Sequence, residues 1–374
     1  MRLFVFLTIA LSVYTAMHAV VYWAVRPIWA GAPRAGAAVI AWMAAMVAAP
    51  VAVRLLDRAG LEAVARPLAW AAYTWLGLVF LAFWPAAALG VGQMLASGLG
   101  ALLPTEPLRL RTPAVAWAVL AGVVALGGYG AWEATRLRVE RVRIASAKLS
   151  RPVRIVQVSD LHLGLLLRSR TLARVLRTVE ALGPDLLVAT GDLVDAQIDH
   201  LDDLSRSWAS FTPPLGKLAV VGNHEVYAGL GQSLAFLEKG GFRVLRNEAV
   251  AVGSDLVVVG VDDEHAPGPR PDPERLFART PAGRFVLLLK HRPTVVPGAG
   301  GRLDLQLSGH THLGQIFPFR LLTKMAYPMQ RGLYALPEGG RLYASRGTGT
   351  WGPPMRVLAP PEVTLIELVP EKQE

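Results

Sequence analysis

"LLVATGDLVD", Leu186 to Asp195, sets two carboxylates three residues apart directly behind an apolar run. An acid that only keeps a loop soluble needs no Gly before it. An acid aimed at a metal ion from the end of a buried strand does, because the chain must turn at once. The stretch therefore reads as a strand, Leu186 to Thr190, that ends in a candidate ligand, Asp192.

The same pattern recurs along the chain. Ile155 to Ser159 runs into Asp160-Leu161-His162, and Ala219 to Val221 runs into Gly222-Asn223-His224-Glu225. Phe285 to Leu289 runs into Lys290-His291, and Leu305 to Ser308 into Gly309-His310-Thr311-His312. Five of the eight histidines fall at these strand ends. Each piece alone is weak, since a Gly-Asp pair is usually a turn and a lone His is usually structural. Together they put metal-binding groups where open α/β sheets bind ligands, in the crevice beyond the strand ends. Oxygen and imidazole donors with no thiolate suit Mn, Fe or Zn.

From Arg136 onward short apolar runs alternate with turns and amphipathic segments. Further strands are expected at Leu256–Val261, Leu342–Ser345 and Val363–Leu368. Ser169–Leu182 carries Leu172, Val175, Leu176 and Val179 at one-face helical spacing, with weaker helices at Leu201–Phe211 and Gln232–Glu238. The Pro-rich stretch His265–Pro273 reads as a surface loop. Strands alternating with helices imply a layered α/β fold.

The first third differs. A bilayer span needs about 20 predominantly apolar residues, and Leu3–Val25, Ala35–Val53 and Pro113–Trp132 each meet that length. Leu68 to about Leu103 is too long for one ordinary span, and Pro85 with the Gly-rich half behind it is expected to break it. Four or five spans result, in a region 1–135 that precedes a domain 136–374. Residues up to Ile144 hold 12 Arg and no Lys against 5 acids, so most of the net charge of +10 flanks apolar segments. Membrane topology explains that excess better than a phosphate backbone does, and no nucleic-acid partner is expected. With four spans, eight arginines lie on the inner flanks and four on the outer, which puts the C-terminal domain in the cytoplasm. The chain has no cysteine, hence no disulfide framework and no Cys nucleophile.

The blocks "SDLHLG", "TGDLVD", "VGNHEVY", "LLLKHRP" and "LSGHTHLGQ" together resemble the calcineurin-like metallophosphoesterase superfamily. Within it they resemble the membrane-attached bacterial branch that includes UDP-2,3-diacylglucosamine hydrolases. The resemblance covers roughly Val139 to the C-terminus. It implies a four-layer α-β-β-α sandwich behind a transmembrane helical bundle, and two divalent metal ions, Mn foremost, with Fe or Zn as alternatives. Asp160, His162 and His312 would bind the first ion, Asn223, His291 and His310 the second, and Asp192 would bridge them. Two cations about 4 Å apart clamp a phosphoryl oxygen and acidify a water. Asp195 would pair with His224, which is no ligand but a cationic acid near the leaving-group oxygen. Glu225 stands where many relatives carry Asp, with little consequence expected for metal binding. Leu313 stands where Gly is frequent, which alters the local loop.

The expected activity is hydrolysis of a phosphate ester or pyrophosphate, with UDP-diacylglucosamine as the leading lipid-linked substrate and the bacterial inner membrane as the location. The rivals are a membrane-anchored hydrolase of soluble nucleotides or phosphoproteins, and a non-catalytic membrane sensor. Two further features stand out. "LGQIFPFRLLTKMAYPMQRGLYALP" mixes apolar and basic residues and suits either a phosphate-bearing amphiphile, a bilayer surface, or ordinary core and loop. Asp262, Asp263 and His265 end another strand and suit either the cleft rim or an ordinary strand-end loop. His18 reads as a bundle contact and His200 as surface. Arg168 and Arg170 read as solvated.

Overall fold

A strand that is apolar at every position needs cover on both faces, and Leu186–Ala189 obtains it. In the computed structural model, which describes residues 2–102, 108–195, 201–268, 272–299, 301–337 and 339–371, this strand lies inside a layered α/β domain. His200 lies outside the described residues. The chain divides into two compact units, Met1–Trp132 with Gly352–Met355, and Glu133–Trp351 with Arg356–Glu374.

The first unit holds helices α1 (Arg2–Val25), α2 (Pro33–Arg58), α3 (Glu62–Leu102) and α4 (Pro113–Ala134). All four are long and apolar enough to cross a membrane. Their outward positions, such as Ile9, Ile40, Leu95 and Val124, are exposed and apolar, as a lipid-facing surface requires. His18 donates from Nδ1 to the Tyr14 carbonyl at 2.8 Å and accepts from Trp75 Nε1 at 2.9 Å, so it is a satisfied packing residue. The expected break at Pro85 is absent: α3 runs as one helix of 41 residues through Pro67 and Pro85. A proline deletes one N–H, whereas leaving the helix in an apolar environment would strand many backbone groups. At about 1.5 Å per residue, α3 is roughly twice as long as a hydrocarbon core is thick.

In the second unit the strands are β1 (Arg138–Ser146), β2 (Val153–Val158), β3 (Leu186–Ala189), β4 (Lys217–Ala219), β5 (Arg243–Val244) and β6 (Glu248–Val252). They continue with β7 (Leu256–Val261), β8 (Phe285–Lys290), β9 (Leu305–Ser308), β10 (Gly332–Ala335), β11 (Arg341–Ala344) and β12 (Glu362–Pro370). The helices are α5 (Ser169–Leu182), α6 (Asp202–Ala209), α7 (Asn223–Lys239), α8 (Pro273–Ala278) and α9 (Arg320–Ala326). Among the described residues two six-stranded sheets form, in the orders β1-β12-β2-β3-β4-β5 and β10-β11-β9-β8-β7-β6. Both are mixed: β2 to β5 run parallel, as do β7, β8, β9 and β11, while β12 is antiparallel to β2 and β6 to β7.

Alternation assigns the layers. Leu186 and Val188 of β3 pack with Leu287 and Leu305 in the core between the sheets. Leu187 and Ala189 pack outward under α5, α6 and α7, against Leu172, Val179, Trp208 and Phe236. On the second sheet Val257, Val259 and Leu288 face Phe277 of α8. The result is the α-β-β-α sandwich that the motifs implied. Fully burying one such aliphatic side chain contributes about 1.5–3 kcal/mol, so the continuous apolar runs hold the two sheets together.

Candidate metal centre

Parallel strands deliver their C-terminal ends to one edge, and every candidate ligand stands just beyond such an end. Asp160 and His162 follow β2, Asp192 follows β3, Asn223 follows β4, His291 follows β8, and His310 and His312 follow β9. Five of these residues have left-handed backbones: Asp160 (φ 52°), His162 (51°), Asp192 (54°), His310 (73°) and His312 (49°). Such conformations cost about 1–3 kcal/mol each and persist only where surroundings impose them. Here the turns after β2 and β3 are tied together, His162 N donating to Asp192 O and Asp160 N to Gly191 O, both at 3.0 Å. Gly191 makes the turn at φ 91°, and a Cβ there would lie 2.6 Å from His291 Nδ1. The glycine of the opening stretch is thus required twice, by conformation and by space.

Among the described residues three donor groups result: His162, Asp195 and His224 form one, and the predicted ligands form two more. Asp160, His162 and His312 converge in one, with His162 Nε2 and His312 Nε2 3.0 Å apart. Asp192, His291 and His310 converge in the other. There His291 Nε2 lies 3.1 Å from Asp192 Oδ2, 3.1 Å from His310 Nδ1 and 3.2 Å from Asn223 Oδ1. All seven residues predicted as ligands are therefore brought together, six of them buried and His310 nearly so.

The donor chemistry fits divalent cations. Burial, reinforced by the neighbouring His224, pushes His162 down to about 3. Burial beside His291 does the same to His310. Both are held as neutral imidazoles, the form that ligates metal. His291 behaves oppositely: burial disfavours its charge, but Asp192 and Asp160 outweigh it and raise it to about 10. The protein itself calls for a positive charge between these carboxylates. The outer nitrogens are also fixed, His291 Nδ1 by the Thr190 carbonyl at 2.8 Å and His310 Nε2 by Tyr327 Oη at 3.2 Å, which leaves the inner nitrogens free for ligation.

His224 stands beside the first cluster, its ring centroid 4.6 Å from that of His162. Its Nδ1 lies 2.9 Å from Asp195 Oδ1. Burial alone would lower it, but Asp192, Asp195 and Glu225 together raise it to about 9, so it is an imidazolium at neutral pH.

Several residues assigned little or no role from the sequence hold this arrangement. Glu225, fully buried, accepts the N–H groups of Gly222 (2.7 Å), Asp192 (2.8 Å), Leu193 (2.8 Å) and Val194 (3.3 Å). Its carboxylate clamps the two ligand turns to each other, a larger role than the motif suggested. Arg292 donates to Tyr327 Oη at 3.0 Å and to Asp263 at 2.7 Å. Arg356, fully buried, stands 3.1 Å from His312 Nδ1. Leu313 occupies its glycine-like position with φ 51°. Asp262 pairs with Arg246 away from the ligands.

Comparison with known proteins agrees with this geometry. The family model "Calcineurin-like phosphoesterase" matches residues 153–314. An uncharacterized metallophosphoesterase of Aquifex aeolicus is 43% identical over 253 residues, covering 66% of this chain and 97% of that protein. One from Helicobacter pylori is 33% identical over 243 residues, with 64% of this chain and 65% of that protein covered. A "transmembrane protein with metallophosphoesterase domain" of Danio rerio is 32% identical over 231 residues, with 58% and 53% covered. The chain thus spans somewhat under two thirds of the Helicobacter relative and about half of the zebrafish one. It belongs to the calcineurin-like phosphoesterase family, metal-dependent hydrolases of phosphoesters.

Proposed function

We propose that this chain is a membrane-embedded hydrolase of a phosphate ester or pyrophosphate carried by a membrane-associated or lipid-linked molecule, UDP-diacylglucosamine being the leading candidate. It would work at the cytoplasmic face of the bacterial inner membrane. What carries the reading is one combination: two ligand clusters built where strand ends of both sheets meet, with an imidazolium beside them, in a chain whose described residues also hold four membrane-length apolar helices.

Asp160, His162 and His312 would hold one divalent ion and Asn223, His291 and His310 the other, with Asp192 common to both; Mn is the expected metal. Bound there, the ions would supply Lewis-acid polarisation of the phosphoryl group and a water acidified to neutral pH. The chain's own residues do the rest. Asp192 and Asp160 supply the carboxylate ligands that favour a cation in the cleft. Asp195 holds Nδ1 of His224, leaving Nε2 to hand a proton to the departing oxygen. Buried beside the clusters, that imidazolium also stabilises charge developing on the leaving group.

The test uses metal-stripped protein in detergent, assayed on bis-p-nitrophenyl phosphate and on UDP-diacylglucosamine with added Mn, and repeated with Asp192→Asn and His224→Ala. Mn-dependent cleavage lost in both variants is expected, with preference for the glycolipid. Turnover of the soluble diester equal to that of the glycolipid would overturn the lipid assignment. Failure to bind metal would overturn the hydrolytic one.

A further inference from the structure

Helix α9 buries none of its side chains. Met325 is 82% exposed, more than Leu95 or Val124 at 69%, the most exposed large apolar side chains of the membrane-length helices. Leu321 and Leu322 share its face, and Phe319 precedes it, all exposed. A folded domain rarely leaves such a patch in water without a use for it.

The rest of the helix says what covers it. Arg320 and Lys324, one turn apart, flank the apolar face, and α9 contains no acid. An apolar stripe edged by cations matches the acyl boundary and anionic headgroups of a bilayer. The domain that carries α9 is also tethered directly to a membrane-length helix. Only Thr135, Arg136 and Leu137 separate α4 from β1, and such a connection reaches about 14 Å at most. A second copy of the chain would meet its own cations at this face.

We propose that α9 is an interfacial anchor. Its apolar face enters the outer acyl region of an anionic bilayer while Arg320 and Lys324 meet lipid phosphates. The anchor is joined to the metal centre by one residue, since Tyr327, directly after α9, touches both His310 and Arg292. A phosphate borne by a lipid would then arrive beside the second ligand cluster without leaving the membrane surface. The inference rests on the membrane-embedded reading of the chain, and not on its hydrolytic activity.

The absence of native cysteine permits a direct test on the full chain. Met325→Cys, Leu322→Cys and, as reference at the exposed end of α6, Ala209→Cys are each labelled with bimane. The proteins are reconstituted in nanodiscs of phosphatidylcholine with or without phosphatidylglycerol, using brominated acyl chains as quenchers. Quenching at 325 and 322 is expected to exceed that at 209 several-fold, and to deepen with phosphatidylglycerol. Quenching as low at 325 and 322 as at 209 would overturn the proposal. So would efficient disulfide cross-linking of unlabelled Met325→Cys between chains, which would make a second copy the occupant. None of these readouts depends on turnover, so a failed activity assay and a failed anchor are told apart.

Discussion

Glu225 holds Asp192 from behind: Glu225 Oε2 accepts the Asp192 main-chain N–H at 2.8 Å, while Asp192 Oδ2 faces His291 Nε2 at 3.1 Å on the cluster side. The shared acid is placed through its backbone, and the residue that places it lies on α7. Because the same carboxylate also takes Gly222 N at 2.7 Å, the turns after β3 and β4 are fixed as one body.

Glu225→Gln should therefore injure the metal centre without touching a ligand. An amide offers a single acceptor oxygen and turns two donors toward main-chain N–H groups. Each buried N–H left unpaired costs about 1–3 kcal/mol. Loss of an outer partner typically lowers metal affinity by about 10–100-fold. Mn titration with thermal unfolding should show both effects, and Mn affinity equal to wild type would refute the clamp.

Tyr327→Phe removes only a hydroxyl. It takes one partner from His310 Nε2 (3.2 Å) and one from Arg292 Nη1 (3.0 Å). The second cluster should weaken more than the first, with Mn affinity down about tenfold and a stability loss of about 1 kcal/mol. Stoichiometric titration should resolve one weakened and one intact site, whereas equal weakening of both would mean a general structural effect.

The sandwich and its ligand positions were legible because they are local. A strand buried on both faces must be apolar at each position, as in Leu186–Val188 or Leu256–Val261, and the polar residue ending it stands out. Strand β1 was not legible. Its Arg138, Glu140, Arg141 and Arg143 suit an edge, and only Ile144 is fully buried there, so no run announced it. The strands β6 and β10, in which only Val252 is buried, escaped for the same reason. The supporting residues escaped for another. Glu225 reaches 33 residues back to Asp192, and Arg292 meets Asp263 from 29 residues away. Such meetings exist only once β4 pairs with β3 and β8 with β7. The continuity of α3 was misread because local breaker chemistry at Pro85 yields to the backbone's need for internal hydrogen bonds.

Gly191→Ala tests the turn that the opening stretch encodes. The backbone sits at φ 91°, and a methyl group would come within 2.7 Å of Gly222 N as well as 2.6 Å of His291 Nδ1. Left-handed strain alone costs about 1–3 kcal/mol, and relief of the clash must displace His291. Mn-dependent turnover of bis-p-nitrophenyl phosphate should fall by at least about 100-fold, the scale of a misplaced reacting geometry. A variant with near-native turnover would show that the turn tolerates a side chain.

Asp263→Ala tests the ion pair behind the second cluster. The Asp263 side chain is fully buried and receives Arg292 Nε at 2.7 Å. Removing the acid leaves the largely buried guanidinium with exposed Glu264, 2.6 Å from Nη1, as its remaining acid, so the loss should fall below the about 3–5 kcal/mol of a fully unpaired buried charge. The pH dependence has a definite sign. Burial would raise the Asp263 carboxyl, but the hydrogen bond from Arg292 and the charge of His291 outweigh it and hold it below the ordinary carboxylate range. A depressed folded-state value means that the stabilisation is complete above about pH 4, the unfolded value, and disappears as pH falls through the folded one. Urea midpoints measured from pH 7 down to 2.5 should therefore show wild type and Asp263→Ala far apart at neutral pH and converging in acid. A gap that stays constant across that range would assign the loss to packing and remove the ion pair from the argument.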